Sequence, residues 1–222
     1  MRLQREREEI TRYAQRLRPD GLVTGTSGNI SVRSRGLVAM TPSGLDYHTL
    51  RPDLVCVVNL DGEIVEGRLA PSSEISMHLA VYGRTEAGAA VHTHSPYATV
   101  LSTLVDEIPP IHYLIAELGG PVRVAPYATF GTTELAENMA RALKGRHAAL
   151  LANHGTISVG ETLEAAYSRN ITLEWLCGIY YRACQFGDPD LLSMEEVERV
   201  VERMADYGQV APADAGSSSM RN

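Results

Sequence analysis

LVCVVNLDGEIVEG, residues 54–67, sets two apolar, β-branched runs on either side of Asp61-Gly62. Both members of that pair tolerate positive φ, so the stretch predicts a hairpin of two antiparallel strands. NISVRS (29–34) followed by GLVAMTP (36–42) predicts a second hairpin beside it. Further strand-like runs are GAAVHTH (88–94), RVAPYA (123–128), AALLANHG (148–155) and TISV (156–159). Helical spacing of apolar residues predicts helices over 2–18, 73–83, 96–105, 133–144, 161–186 and 194–206. Hairpins mixed with crossover helices imply an α/β layered domain with a largely antiparallel central sheet, not a doubly wound parallel one. There is no internal repeat. From about residue 209 the segment QVAPADAGSSSMRN is small, polar and aperiodic, which predicts a disordered tail over 209–222 behind one domain at 1–208.

A chain of 222 residues is long enough for one sizeable core and short for two. A hydrophobic share of 44% with 21% charged residues fits an ordinary soluble domain. The net charge of −7 argues against nucleic acid or an anionic membrane as partner, because both repel an acidic surface. The first helix, MRLQREREEITRYAQRL, is charged and amphipathic, so it reads neither as a signal peptide nor as an anchor. Cys56, Cys177 and Cys184 are odd in number and form no CxxC pair, which predicts reduced thiols and a cytoplasmic protein.

The chemistry concentrates in a few short motifs. His92 and His94 in HTH lie two apart on a strand, hence on one face and about 6.5 Å from each other. Ser95-Pro96 behind them reads as a helix N-cap and first turn. Alone, the pair is equally well two buried or exposed imidazoles. His154, at the end of another strand and before Gly155, sharpens it: three imidazoles with a position left open form the pattern of a catalytic divalent-metal site, zinc favoured. In PSSE (71–74), Ser72 or Ser73 caps a helix and Glu74 sits in its first turn, where an acid is favoured by the helix dipole alone. Glu74 becomes a fourth ligand or a general base only if it faces the histidines. His78 shares a helix face with Ile75 and Tyr82 and is explained by packing. His48 and His147 read as solvated, and His112 as a structural neighbour of Tyr113.

Two small-residue loops, TGTSGNIS (24–31) and TPSG (41–44), are rich in hydroxyl and amide donors, and Ser72-Ser73 adds amides at a helix start. None is a Walker A or dinucleotide loop. Each alone reads as an ordinary turn; together with a metal they suggest a small phosphorylated substrate.

With GTSGNIS, TPSG, PSSE, HTH, IPPIHY (108–113), APYATFGT (125–132) and NHG (153–155) in this order, the chain resembles the class II (zinc-dependent) aldolase/adducin family over residues 5 to 208. Within it the chain is most similar to the fuculose-phosphate branch. The resemblance implies a three-layer α/β/α domain and one Zn2+ per subunit, other divalent ions being possible. It implies His92, His94, His154 and Glu74 as metal ligands, with Glu74 also the general base. Gly28, Asn29, Ser43, Gly44, Ser72 and Ser73 match phosphate-binding positions, and Tyr113 matches the tyrosine that protonates the aldehyde oxygen. Phe130 and Tyr207 match the aldehyde pocket. Family members are cyclic homotetramers with the site between subunits, Tyr113 coming from a neighbour. The implied reaction is reversible cleavage of a ketose 1-phosphate, such as L-fuculose 1-phosphate, to dihydroxyacetone phosphate and a short aldehyde. A methylthioribulose-1-phosphate dehydratase, a pentulose-phosphate 4-epimerase, or a non-catalytic adducin-like interaction module are the alternatives. One departure stands out: DYGQVAPAD (206–214) lacks the arginine that follows the C-terminal tyrosine in the fuculose-phosphate branch. No lysine is needed where a metal replaces a Schiff base, and Lys144, the one lysine, reads as a surface residue.

Overall fold

Asp61-Gly62 does join two antiparallel strands, β3 (Cys56–Asn59) and β4 (Ile64–Glu66). The turn is longer than the two residues expected, because of its pair only Gly62 takes positive φ. Instead the Asn59 side-chain oxygen accepts from the backbone N–H of Asp61 and Glu63, and the loop wraps around that amide. The two-residue turn with both φ positive lies in the other hairpin, at Arg35-Gly36, between β1 (Asn29–Ser34) and β2 (Leu37–Met40).

The structure is a computed structural model and describes residues 1–205; Tyr207 and the predicted tail at 209–222 lie outside them. The remaining strands are β5 (Ala89–Thr93), β6 (Glu107–Ile108), β7 (Val122–Ala125), β8 (Ala148–Leu151) and β9 (Gly155–Gly160). They form one sheet in the order β4-β3-β2-β1-β5-β9-β8-β7-β6, antiparallel throughout except for β7 beside β8. Strand β6 and a 3-10 turn at Tyr113–Leu118 had no periodic signal, being too short to show one.

The helices are α1 (Gln4–Leu17), α2 (Ile75–Arg84), α3 (Pro96–Leu101), α4 (Thr133–Leu143), α5 (Leu163–Ala183) and α6 (Met194–Ala205). Strand alternation sorts them into two outer layers. Ala89 and Val91 point to α1 and α5, whereas Ala90 points to α2 and α4. Likewise Ala148 and Leu150 meet α3 and α5, while Ala149 and Leu151 meet α4. The α/β/α architecture is thus observed. In α1, Ile10, Tyr13, Ala14 and Leu17 recur at helical spacing and are buried, and burying a side chain such as Ile10 or Leu17 contributes about 2 kcal/mol. Buried Arg7 ties that helix down by pairing with Glu66 at 2.9 Å and donating to the backbone oxygens of Arg2, Pro52 and Val55. Among the described residues no helix is long and apolar enough to cross a membrane.

Two features of the sheet bring the histidine strands together. Gly155 lies so close to β5 that a Cβ there would fall 2.2 Å from the Thr93 oxygen, so no side chain fits. On the opposite face, the Asn170 amide of α5 donates to Val91 O, Thr156 Oγ1 and Ser158 Oγ and accepts from Thr93 Oγ1, stitching β5 to β9 through the core.

Candidate metal centre and active site

His92 and His94 project from β5 on the α2 side of the sheet, while Thr93 points the other way to Asn170. His154 arrives from the tight turn after β8, where Asn153 takes the left-handed conformation (φ 56) that asparagine tolerates. Glu74 comes from the start of α2. It occupies the N-cap position rather than the first turn, and its carboxylate turns away from the helix amides. Ser72 supports that turn: its hydroxyl accepts from the Glu74 N–H.

The four side chains converge. One ligand atom from each of Glu74, His92, His94 and His154 lies within 4.8 Å of the others. His92 Nε2 is 3.0 Å from His94 Nε2 and 3.1 Å from Glu74 Oε2, and His154 Nε2 is 3.3 Å from Glu74 Oε1. His92 Nδ1 lies 2.7 Å from the Thr156 carbonyl and must donate to it, which leaves Nε2 as the nitrogen that faces the cluster. Burial and the adjoining His92 pull both His94 and His154 down to about 4, which keeps their rings neutral at physiological pH. Burial works to raise the Glu74 pKa, but His92, Asn29 and His154 outweigh it and hold the carboxyl well below the usual range. Among the described residues, Glu74 Oε1 is buried without a hydrogen-bond donor. Lone pairs and a carboxylate facing one another at these distances repel unless a cation lies between them. The donor set therefore fits a divalent ion, as a three-histidine, one-carboxylate metal-binding cluster.

Beside the cluster is a cleft of about 290 Å³ lined by Gly28, Asn29, Ser43, Gly44, Ser72, Ser73, Glu74, His94, Phe130 and His154. The positions expected to bind phosphate thus all meet beside the Glu74–histidine cluster. Gly28 (φ +78) approaches β5 too closely for a Cβ, which would sit 2.8 Å from the His92 oxygen. Its carbonyl accepts from the Tyr47 hydroxyl at 2.5 Å, and burial pushes that phenol up to about 12, so it remains a donor. Asn29 differs from expectation: its amide donates to Glu74 Oε2 at 2.9 Å as well as lining the cleft. Phe130 is at the rim and 64% exposed.

Tyr113 does not join this cleft. It is 49% exposed, stacked beside His112, whose ring meets Trp175 edge-on. Sequence reasoning missed Tyr127 and Asn153, which also line the cleft. Tyr127 sits inside the quoted APYATFGT motif and Asn153 beside His154, so adjacency to the motifs was the available signal. It also missed the polar role of His78, whose ring is fully buried yet hydrogen-bonded on both nitrogens. Ser95 is the N-cap and Pro96 the first residue of α3, as expected, but the Ser95 side chain makes no cap bond; Glu174 accepts from the Tyr97 and Ala98 N–H groups instead.

A sequence profile of the Class II Aldolase and Adducin N-terminal domain matches residues 8–181. The chain is 45% identical over 212 residues to a 5-deoxy-D-ribulose 1-phosphate aldolase of Bacillus thuringiensis serovar kurstaki, covering 94% of this chain and 100% of that one. It is 42% identical over 191 residues to an L-fuculose phosphate aldolase of Escherichia coli K12, covering 85% and 88%. A solved L-fuculose 1-phosphate aldolase superposes with a TM-score of 0.88 at 42% identity, covering 90% of this chain and 96% of that one.

Proposed function

This chain belongs to the class II aldolase and adducin family, and we propose that it reversibly cleaves a ketose 1-phosphate to dihydroxyacetone phosphate and a short aldehyde. The observation that carries the reading is the buried Glu74–His92–His94–His154 cluster opening on a cleft walled by hydroxyls and backbone amides. His92, His94 and His154 hold the metal, with Glu74 as the resting fourth ligand. Zinc is the ion favoured by imidazole donors; when bound it supplies Lewis acidity to a ketose carbonyl and its adjacent hydroxyl.

The protein's own residues do the rest. Gly28, Asn29, Ser43, Gly44, Ser72 and Ser73 bind the phosphate with neutral donors at the positive end of α2. In the aldol direction Glu74 takes a proton from the hydroxymethyl carbon of dihydroxyacetone phosphate, the orphaned Oε1 being the oxygen free to do so. That carbon then attacks the aldehyde carbonyl, and Tyr113 donates a proton to the new alkoxide. Glu74 afterwards releases its proton to solvent and Tyr113 regains one. Because Tyr113 is exposed and outside the cleft of its own chain, it serves the site of a neighbouring copy, as in the family's cyclic homotetramers. Phe130 and Tyr207 flank the aldehyde. The enzyme works in the cytoplasm.

L-Fuculose 1-phosphate, yielding L-lactaldehyde, is the first substrate reading. A second, 5-deoxyribulose 1-phosphate yielding acetaldehyde, is favoured by the relative matched over its whole length and by the lack of an arginine within residues 208–214, shortly after Tyr207. The two products differ by one hydroxyl-bearing carbon. Incubating the zinc-loaded protein with dihydroxyacetone phosphate and each aldehyde discriminates them by kcat/KM. Failure to join either aldehyde, with other phosphoketoses turned over, would rule out the aldolase in favour of a dehydratase or epimerase.

A further inference from the structure

Behind Glu74 a line of buried polar side chains runs into the core between the sheet and α2. Asn29 is 3% exposed, Tyr82 4%, and Ser31 and His78 are fully buried. Asn29 Nδ2 lies 2.9 Å from Glu74 Oε2, and Asn29 Oδ1 lies 2.5 Å from His78 Nε2. His78 Nδ1 lies 2.6 Å from Ser31 Oγ, which lies 2.6 Å from the Tyr82 hydroxyl. Sequence periodicity explains that His78 faces inward, but an aliphatic residue would satisfy that pattern equally.

The directions of these bonds follow one from another. An ionised carboxylate only accepts, so Asn29 must present its NH2 to Glu74 and its oxygen to His78. That oxygen only accepts, so His78 must carry its proton on Nε2. Its bare Nδ1 then accepts from Ser31, whose oxygen accepts from Tyr82. Every donor points towards Glu74. Burial holds His78 down to about 3, so the ring stays neutral and the order is not reversed by protonation. Remove the Nε2–H and nothing prevents the Asn29 amide from rotating, which would turn its oxygen on the carboxylate.

We propose that His78 is a positioning residue: through its Nε2–H it locks the Asn29 amide, which ties down Glu74 Oε2 and leaves Oε1 as the oxygen that moves the proton. This deepens the aldolase reading and rests on it for the word proton; the lock itself is a matter of tautomer and geometry. Residues one step behind a metal ligand commonly cost about 10- to 100-fold in activity or metal affinity when replaced, and His78 acts through one of them, Asn29.

Two measurements test it. The first is the 15N NMR spectrum of the wild-type protein, which reads the His78 tautomer without any turnover. The expected result is a neutral ring with a slowly exchanging Nε2–H from pH 5 to 8; an Nδ1–H tautomer or a charged ring overturns the proposal. The second compares His78→Gln, whose amide can restore a donor near the Nε2 position, with His78→Phe, which keeps bulk but has no donor. The readout is hydrogen exchange at the hydroxymethyl carbon of dihydroxyacetone phosphate in D2O. His78→Phe is expected to lower kcat for exchange about 10- to 100-fold with KM changed much less, and Gln to recover most of that loss. Equal losses in both variants, or a wild-type rate in a folded His78→Phe, overturn the proposal; if neither variant folds, the tautomer decides. If the wild type exchanges no hydrogen while the Nε2–H tautomer is found, the aldolase reading fails and the lock stands.

Discussion

At the scale of residues, the account turns on Glu74 being one of four ligands and also the group that moves a proton. Replacing it by glutamine keeps the shape but removes the base, so Glu74→Gln should slow hydrogen exchange at dihydroxyacetone phosphate by about 100-fold or more, read by proton NMR in D2O. A near-normal rate would mean that another group is the base. Replacing one imidazole should act differently. His154→Ala removes a ligand and should lower the zinc retained per chain after dialysis, measured by elemental analysis, together with activity. The convergence of the four side chains was legible because HTH and NHG each place imidazoles at strand ends, and because the family resemblance supplied Glu74, which the helix dipole explained equally well. His78 was not legible. Helical spacing reports that a side chain faces inward, not that Asn29, at the start of the distant strand β1, will meet its ring. The same spacing also hid the double duty of Asn29, whose place in a small-residue loop signalled phosphate and nothing more.

Between residue and molecule, the elements that matter are β5 and β9, whose close approach sets His92 and His94 against His154. Gly155→Ala would put a methyl group 2.2 Å from the Thr93 oxygen, so the strands must part. The expected outcome is a loss of stability of about 2–4 kcal/mol in urea denaturation, with weakened zinc binding, since His154 moves with the strand. On the other face, Asn170→Leu leaves Thr93, Thr156 and Ser158 without the buried amide that joins them. It should cost about 2–3 kcal/mol while leaving Glu74 and the three histidines in place. Unchanged midpoints in either variant would show that the strands are held by other means. Hairpins were legible from turn residues, but their turn types were not: Asn59 captures the backbone beyond it, and Arg35, an unusual residue for positive φ, takes the tight turn instead. Such choices are settled by side-chain hydrogen bonds and strand register, neither of which is visible in a run of letters. Strand β6 escaped notice because two residues carry no period.

For the whole molecule, the largely antiparallel sheet followed from the mix of hairpin and helix signals, whereas the three-layer α/β/α arrangement came with the family resemblance. Tyr113 stands 49% exposed against His112, whose ring meets Trp175, and lies outside the cleft of its own chain. If it completes a neighbour's site, then Glu74→Gln and Tyr113→Phe chains, each nearly inactive alone, should regain activity when dissociated and reassembled together. Light scattering should report a tetramer. A monomer, or no recovery on mixing, would place the proton donor elsewhere.

The central claim, that this is a metal-dependent aldolase acting through dihydroxyacetone phosphate, is tested most directly by one measurement. The protein is stripped with a chelator, then assayed for carbon–carbon bond formation between dihydroxyacetone phosphate and L-lactaldehyde or acetaldehyde, before and after zinc is returned. The stripped protein should form no product, and a ketose 1-phosphate should appear once zinc is restored. Product formed equally well without metal, or none formed with either aldehyde after zinc is bound, would contradict it.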